Sequence, residues 1–229
     1  MIRATILLLL SCSFILARQS VAAQKRTAPD PVTVARSFLP PNTQLAQLYR
    51  IKYHPRWTVV RWPAVLVGHI LDRESEDIVF AYYSPQIHTF EKTLFITLLH
   101  RTSGKYEQVY TISHRDQVLL VPHAMRILPL QGLPTDAIAV IAGIGAYLGG
   151  QLQVFVWHDP WGWQNIFPPN GSMHYFYFYP RKAGLEVALS AARHPGLNVS
   201  PPPVWFQWNG KSFIKIPPPE GSSKWPLPD

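Results

Sequence analysis

The sequence predicts an all-β repeat protein built from three small antiparallel sheets. Three times, a carboxylate precedes a short apolar strand, in residues 77–82, 136–141 and 186–191. Each strand is followed by a loop rich in Gly, Pro or His, and then by a hairpin with aromatic arms. One such unit has an apolar face that it cannot bury by itself, so the units must stack on their neighbours.

The three predicted hairpins turn at residues that favour tight turns. These turns lie at Ser103-Gly104, Asp159-Pro160 and Asn209-Gly210. Their arms are rich in Val, Ile, Tyr, Phe and Trp, as is typical of strands. The 23 prolines fall mostly between the predicted strands, because proline cannot donate a hydrogen bond to a sheet.

The remaining segments are assigned by their local pattern. Residues 32–39 predict a short helical turn that ends at Pro40-Pro41, and the period-two pattern within 44–62 predicts an extra strand or two. Residues 185–193 have the composition of a helix, but their alignment with the other repeats favours a strand. The predicted organisation is a signal peptide (1–23), a flexible N-terminal segment (24–44), a β-repeat domain (45–217, with units of about 63–115, 123–169 and 173–217) and a disordered tail (218–229).

The N-terminus predicts export to a secreted or periplasmic location. Arg3 precedes an apolar stretch of 14 residues at 4–17, which is too short to span a membrane, and small residues at 21–23 favour cleavage before Gln24. Cys12 is the only cysteine. A lipid anchor there is the alternative, but the apolar run continues past Cys12, so we expect a chain without thiols or disulfides once the signal is removed. No later stretch is long and apolar enough for a transmembrane helix.

The chain is basic, with a formal net charge of +8. Removal of Arg3 and Arg18 with the signal leaves 19 basic and 13 acidic residues, a charge of +6. The basic residues are scattered, and no run of five or more occurs, so we do not expect nucleic acid as a partner. We expect an unidentified protein or glycan partner at the cell envelope.

The spacing of the three acids is close to the period of propeller blades. Asp77, Asp136 and Glu186 lie 59 and 50 residues apart, and propeller blades repeat about every 40–50 residues, so only the first unit is long. With its apolar strands and its aromatic hairpin ends at 157–161 and 205–210, the chain resembles the FG-GAP-like, integrin-type β-propeller repeat proteins of the bacterial exported type.

The resemblance implies three propeller-blade-like antiparallel sheets that form a partial or irregular β-propeller. A closed propeller generally has four to eight blades. Residues 45–62 could supply part of a fourth sheet, the sheets could form an open arc, or chains could associate. We expect a monomeric arc capped by the N-terminal segment.

The resemblance also raises the question of calcium, which the family commonly binds in an Asp/Gly loop before the strand. The chain departs from that loop, and only the first repeat keeps several acids: Asp72, Glu74, Glu76 and Asp77. We expect no cofactor, and calcium at these four residues is the alternative left open. The persistent acids, Asp77, Asp136 and Glu186, are instead expected to accept backbone hydrogen bonds within their turns.

The sequence does not favour an enzyme. Nine histidines form no H-E-x-x-H motif, and the chain lacks a G-x-S-x-G elbow and a helix-opening G-x-G-x-x-G loop. A carboxylate pair for glycoside hydrolysis would be assembled only in the folded chain, so the sequence leaves it open.

Candidate binding residues lie in turns and in loops at equivalent places of the repeats, which project from one side of a repeat fold. They are Trp161, Trp163, Tyr147, His88, Phe90, His194 and Asn198. We therefore expect a non-catalytic exported binding module. The alternative is a carbohydrate-binding or glycan-processing protein that uses an exposed aromatic surface.

Overall fold

The computed structural model describes residues 29–53, 57–84, 92–116, 124–143, 150–171, 173, 175–181, 184–190 and 202–220. The chain divides after Asp30, and the unit that begins at Pro31 contains every element described below. Residues 1–23, with Cys12, and residues 221–229 lie outside the described ranges.

Strands dominate the described chain, and one short helix precedes them. The elements are α1 (Pro31–Ser37), β1 (Leu48–Tyr53), β2 (Trp57–Trp62), β3 (Val65–Gly68), β4 (Asp77–Tyr83), β5 (Lys92–Thr102), β6 (Lys105–Asp116), β7 (Ala124–Leu128), β8 (Ala137–Gly143), β9 (Gly150–His158), β10 (Gly162–Asn165), β11 (Tyr175–Arg181), β12 (Gly184–Ser190), β13 (Val204–Trp208) and β14 (Phe213–Ile216).

The strands form three four-stranded sheets and one hairpin. The first sheet has the order β3-β4-β5-β6, the second β7-β8-β9-β10 and the third β11-β12-β13-β14, while β1 pairs only with β2. All pairings between these strands are antiparallel and join strands that are consecutive in the chain. Two isolated antiparallel bridges lie outside them and join Leu45 to Tyr82 and Gly150 to Met173. The prediction of an all-β fold with three small antiparallel sheets is therefore confirmed, and none of the three described sheets closes on itself.

The first sheet is buried on both faces. Side chains of a strand alternate between the two faces of its sheet. On β4, Phe80 packs in a cluster with Ala35 of α1, whereas Val79 and Ala81 join a different cluster with Met125 of the second sheet. The helix thus covers one face of the first sheet, and the second sheet covers the other.

The second sheet is buried in the same way, between its two neighbours. Ile138 and Val140 of β8 belong to the cluster shared with the first sheet, and Ala139 and Ile141 belong to the cluster shared with the third. Because both faces are covered, β4 and β8 have nearly continuous apolar sequences rather than a polar–apolar alternation. The layers follow the order α1, first sheet, second sheet, third sheet.

Hydrogen bonds from two tryptophans connect the layers. Trp62 of β2 packs against both inter-sheet clusters, and its indole Nε1 donates to the Met125 carbonyl. Trp208 of the third sheet donates from Nε1 to the carbonyl of Gln131, at 2.7 Å. At the same junction a Cβ on Gly132 would lie 2.8 Å from the Gly210 carbonyl oxygen, so only glycine fits there.

The turns follow the predicted chemistry. Ser103 and Gly104 both have positive φ, 51° and 84°, as a two-residue type I′ hairpin requires. In the third sheet, the side-chain Oδ1 of Asn209 accepts hydrogen bonds from the amides of Lys211 and Ser212, both at 3.0 Å. The assignment of β12 as a strand is confirmed, despite its helix-like composition.

The N-terminal part of the unit forms one helix and one hairpin. Helix α1 lies within the predicted segment 24–44, where the sequence indicated a helical turn at 32–39. The extra strand or two predicted within 44–62 are present as the hairpin of β1 and β2. In the described part of the chain, no helix has the length and apolar character needed to cross a lipid bilayer.

Candidate functional site

The loop between β3 and β4 is folded around the carboxylate of Asp77. This side chain is fully buried. Its Oδ2 accepts hydrogen bonds from the amides of Ile70 and Leu71, both at 2.8 Å. These two backbone donors would otherwise have no partner in the interior, so Asp77 holds its own loop in place.

Asp72 organises the middle of the same loop. Its Oδ1 accepts hydrogen bonds from the Glu74 amide at 2.9 Å, the Ser75 amide at 2.7 Å and the Ser75 hydroxyl at 2.8 Å. The hydrogen bond from the Ser75 hydroxyl is the largest cause that holds the pKa of Asp72 below its ordinary value, followed by the bond from the Ser75 amide. The charge of His100 lowers this pKa further.

Replacement of Ser75 with alanine is therefore expected to raise the pKa of Asp72 towards its ordinary value. A lowered pKa in the folded state contributes stability above the unfolded pKa, and this contribution is lost as the pH falls through the folded pKa. The Ser75→Ala variant should lose less stability on acidification than the wild type. NMR titration of the Asp72 carboxyl carbon measures the shift, with Ser113→Ala as the exposed control. An unchanged midpoint in Ser75→Ala would contradict the assignment.

His100 connects the two carboxylates, but its geometry does not activate Ser75. The ring Nδ1 lies 2.7 Å from Oδ1 of Asp77 and 3.3 Å from the Ser75 hydroxyl, while Nε2 lies 3.9 Å from Oδ2 of Asp72. A serine nucleophile needs its hydroxyl and the orienting carboxylate on opposite ring nitrogens. Here both face Nδ1, and the Ser75 hydroxyl donates to Asp72 instead.

The three repeat acids make three different contacts. Asp77 accepts backbone hydrogen bonds within its own loop, as predicted. Asp136 reaches the neighbouring sheet, because its Oδ2 accepts a hydrogen bond from the His69 amide at 3.0 Å. Glu186 lies in β12 and accepts a hydrogen bond from Arg181 Nε at 3.1 Å.

The oxygens of the first loop do not fit a calcium ion well. Calcium takes six to eight oxygen ligands. Both oxygens of Asp77 and Oδ1 of Asp72 already contact protein donors. Glu74 and Glu76 are exposed. Among the described residues, no three His, Cys, Asp or Glu side chains are grouped as metal ligands.

A second candidate region is an aromatic platform, formed by Tyr110, Trp157, Trp161 and Trp163. It lies where the outer strands β6 and β10 meet between the first and second sheets. The rings of Tyr110 and Trp157 contact edge to face, with centroids 5.8 Å apart. Trp157 and Trp163 are perpendicular at 5.5 Å. Tyr110 is 42% exposed and Trp161 is 80% exposed, so two of the four rings face solvent.

Strand register and a glycine turn position the platform. Trp163 of β10 lies directly opposite Trp157 of β9, and both pack against the core shared by the first two sheets. Gly162 follows Trp161 and has a φ of 80°. A Cβ on Gly162 would lie 3.4 Å from Cε2 of Tyr110, so the turn that carries Trp161 lies against Tyr110.

The structure separates the two tryptophans that the sequence grouped together. Trp161 is exposed as predicted, whereas Trp163 is half-buried and supports the platform from within. Tyr110 and Trp157 were not among the predicted binding residues, although their place in aromatic hairpins was a signal. The other predicted residues lie outside the described ranges: Tyr147, His88, Phe90, His194 and Asn198.

Comparison of the chain with known proteins identifies no relative. No protein-family model matches the chain, and no curated protein or solved structure matches it significantly. The resemblance to FG-GAP-like repeat proteins stays a prediction.

Proposed function

We propose that the protein is a non-catalytic, exported binding module, built from blade-like sheets of a partial β-propeller, and that the aromatic platform contacts its ligand. The observation that carries this proposal is the exposure of Trp161, at 80%, beside the partly exposed Tyr110. Contiguous exposed aromatic surface on a soluble protein commonly marks a binding site.

The stacking of the sheets supports the blade-like arrangement. Each sheet is a meander of four consecutive strands, and each inter-sheet core is shared by two sheets. The first strands of neighbouring sheets, β3 and β7, are in contact. In a propeller the first strands of the blades gather around the axis, and the fourth strands lie outside.

The distribution of exposed apolar side chains supports the location of the site. Val67 and Ile214 are exposed singly on the first and third sheets. In contrast, Tyr110 and Trp161 are both exposed at the platform, where the turn at Gly162 lies against Tyr110. Single exposed apolar residues are ordinary, whereas a group of them is informative.

A role without catalysis agrees with the geometry of the polar network around Asp77. The carboxylates of Asp77 and Asp72 accept hydrogen bonds from backbone amides and from the Ser75 hydroxyl, and these bonds hold the loop in its conformation. The hydroxyl of Ser75 faces the same ring nitrogen as Asp77, which is unsuitable for a nucleophile. We therefore assign this network to structure and the platform to binding.

Fluorine NMR of the full chain tests the site with a ligand of any chemical class. The eight tryptophans are labelled with 5-fluorotryptophan, and Trp161→Phe and Trp208→Phe assign two of the resonances. On titration with an extract of the source cell's envelope, the Trp161 resonance should shift or broaden, while that of the buried Trp208 should not. Retention on immobilised envelope should fall at least about tenfold in Trp161→Ala.

The matched control for retention is Ile214→Ala, which shortens an exposed apolar side chain on a different sheet. Its retention should equal that of the wild type. A Trp161 resonance that does not respond, or equal retention by all three proteins, would refute the proposed site.

A further inference from the structure

We infer that the ligand of the aromatic platform is an uncharged glycan whose sugar rings stack on Trp161 and Tyr110. This inference rests on the proposed function and adds the chemical class of the ligand. It follows from the size of the platform, the chemistry of its rings and the charges around it.

The size of the platform fits a small ligand better than a protein partner. The large aromatic residues exposed there are Trp161 and Tyr110. An aromatic side chain contributes about 150–250 Å² even when it is fully covered. Two such rings remain below the ~800 Å² that each partner buries in a stable protein interface. One or two sugar rings, by contrast, would be covered by the two exposed aromatic rings.

The chemistry of the rings suits the apolar face of a sugar. The face of an aromatic ring carries partial negative charge, and its edge carries partial positive charge. The C–H groups on one side of a pyranose present partially positive hydrogens to such a face. Tyr110 is held in place by its edge-to-face contact with Trp157, which in turn contacts Trp163. A ring that is already held loses little side-chain freedom on binding.

The polar residues close to these rings in the sequence suit hydroxyl groups. His158 and Asp159 precede Trp161 in the same turn, and both are exposed. Glu107 is exposed on β6, three residues before Tyr110. A carboxylate accepts hydrogen bonds from hydroxyls, and an imidazole both donates and accepts.

The local charge selects an uncharged sugar. The whole chain has a net charge of +8, but residues 106–113 and 155–166 contain no Lys or Arg. They contain two carboxylates instead, Glu107 and Asp159. Neither segment offers a Lys or Arg side chain to pair with an anionic glycan, so a neutral glycan suits the platform better.

Calorimetric titration of the full chain tests the inference with defined probes. These are cellohexaose, chitohexaose and laminarihexaose as neutral glycans, and hexagalacturonate as an anionic one. We expect saturable binding of at least one neutral hexasaccharide and weaker binding of hexagalacturonate. Trp161→Ala and Tyr110→Ala should each weaken binding of that neutral probe by about tenfold or more. Ile214→Ala should bind like the wild type.

The outcomes separate this inference from the proposed function. The glycan assignment is overturned if no neutral hexasaccharide binds up to about 10 mM, or if Trp161→Ala binds as tightly as the wild type. If the Trp161 fluorine signal still responds to envelope extract that was digested with glycoside hydrolases active on the three neutral probes, the platform binds a different ligand and only the glycan assignment fails. If the signal responds to neither extract, both proposals fail.

Discussion

Replacement of Trp208 with alanine is expected to lower the free energy of unfolding by about 3–5 kcal/mol. The side chain is 1% exposed and lies in the core shared by the second and third sheets. Its ring packs against Phe213 with centroids 5.2 Å apart. Alanine would leave a large cavity there, and the Gln131 carbonyl would lose the hydrogen bond that it accepts from the Trp208 indole.

Two further variants separate the causes of this loss. Trp208→Phe keeps part of the volume but removes the N–H donor, so its loss should be intermediate, about 2 kcal/mol. Trp161→Ala removes the same type of side chain from an exposed position, and its stability should stay within about 0.5 kcal/mol of the wild type. Urea denaturation followed by far-ultraviolet circular dichroism measures all three. Equal free energies of unfolding for Trp208→Ala and Trp161→Ala would contradict the prediction that the buried Trp208 stabilises the packing of the third sheet on the second.

The second large effect is expected for Asp77→Ala, with a loss of about 3–5 kcal/mol. The variant removes the acceptor of two backbone amides, at Ile70 and Leu71, and the partner of His100. Because Ile70 and Asp77 are fully buried, water cannot readily replace the lost acceptor. The β3–β4 loop should lose its conformation, and with it the contact between the His69 amide and Asp136.

Asp77→Asn and Glu76→Ala are the matched comparisons. Asparagine keeps an oxygen for the two amides but loses the charge that faces His100, so we expect a loss of about 1–2 kcal/mol. Glu76 is the exposed neighbour, and its replacement should change stability by less than about 0.5 kcal/mol. Thermal unfolding by calorimetry gives the order of the variants. If Asp77→Ala melts at the same temperature as Glu76→Ala, the carboxylate does not organise the loop.

The hairpins were predictable from the sequence because they depend on neighbours in the chain. The β5–β6 turn needs two residues that tolerate positive φ, and Ser103-Gly104 supplies them. The strands of each sheet are consecutive, so no distant segment had to be placed. Strand β12 is the instructive case, since its composition favours a helix but its place in the repeat requires a strand.

The roles of the repeat acids were not predictable, because they depend on which face of its sheet each acid lies on. In β4 the residue after the acid, Ile78, faces α1, on the side away from the second sheet. In β8 the corresponding residue, Ala137, faces the third sheet. The two strands are therefore displaced by one residue relative to their acids, and such a shift exchanges the faces of a strand. As a result, Asp77 binds its own loop and Asp136 reaches the first sheet.

The candidate site shows the same division. Trp161 and Trp163 lie close together in the sequence, and both were predicted to be binding residues in one turn. Pairing across the hairpin sets Trp163 opposite Trp157, against the core, and leaves Trp161 in solvent. Tyr110 joins them from another sheet, more than forty residues earlier in the chain. Its aromatic hairpin was a local signal, but its place beside this turn depends on how the two sheets pack.

Alternation and turn residues act over a few neighbouring positions, so the acid-led strand and the hairpin of each sheet were predictable from local sequence, whereas the strands β3 and β7 were not predicted. The sequence by itself therefore determined that the protein is all-β, with three antiparallel sheets formed in order along the chain. Which faces meet, which loop each acid binds and which aromatic rings remain exposed became clear only from the packed sheets. These outcomes depend on how separate sheets pack, and packing joins residues that are distant in the chain.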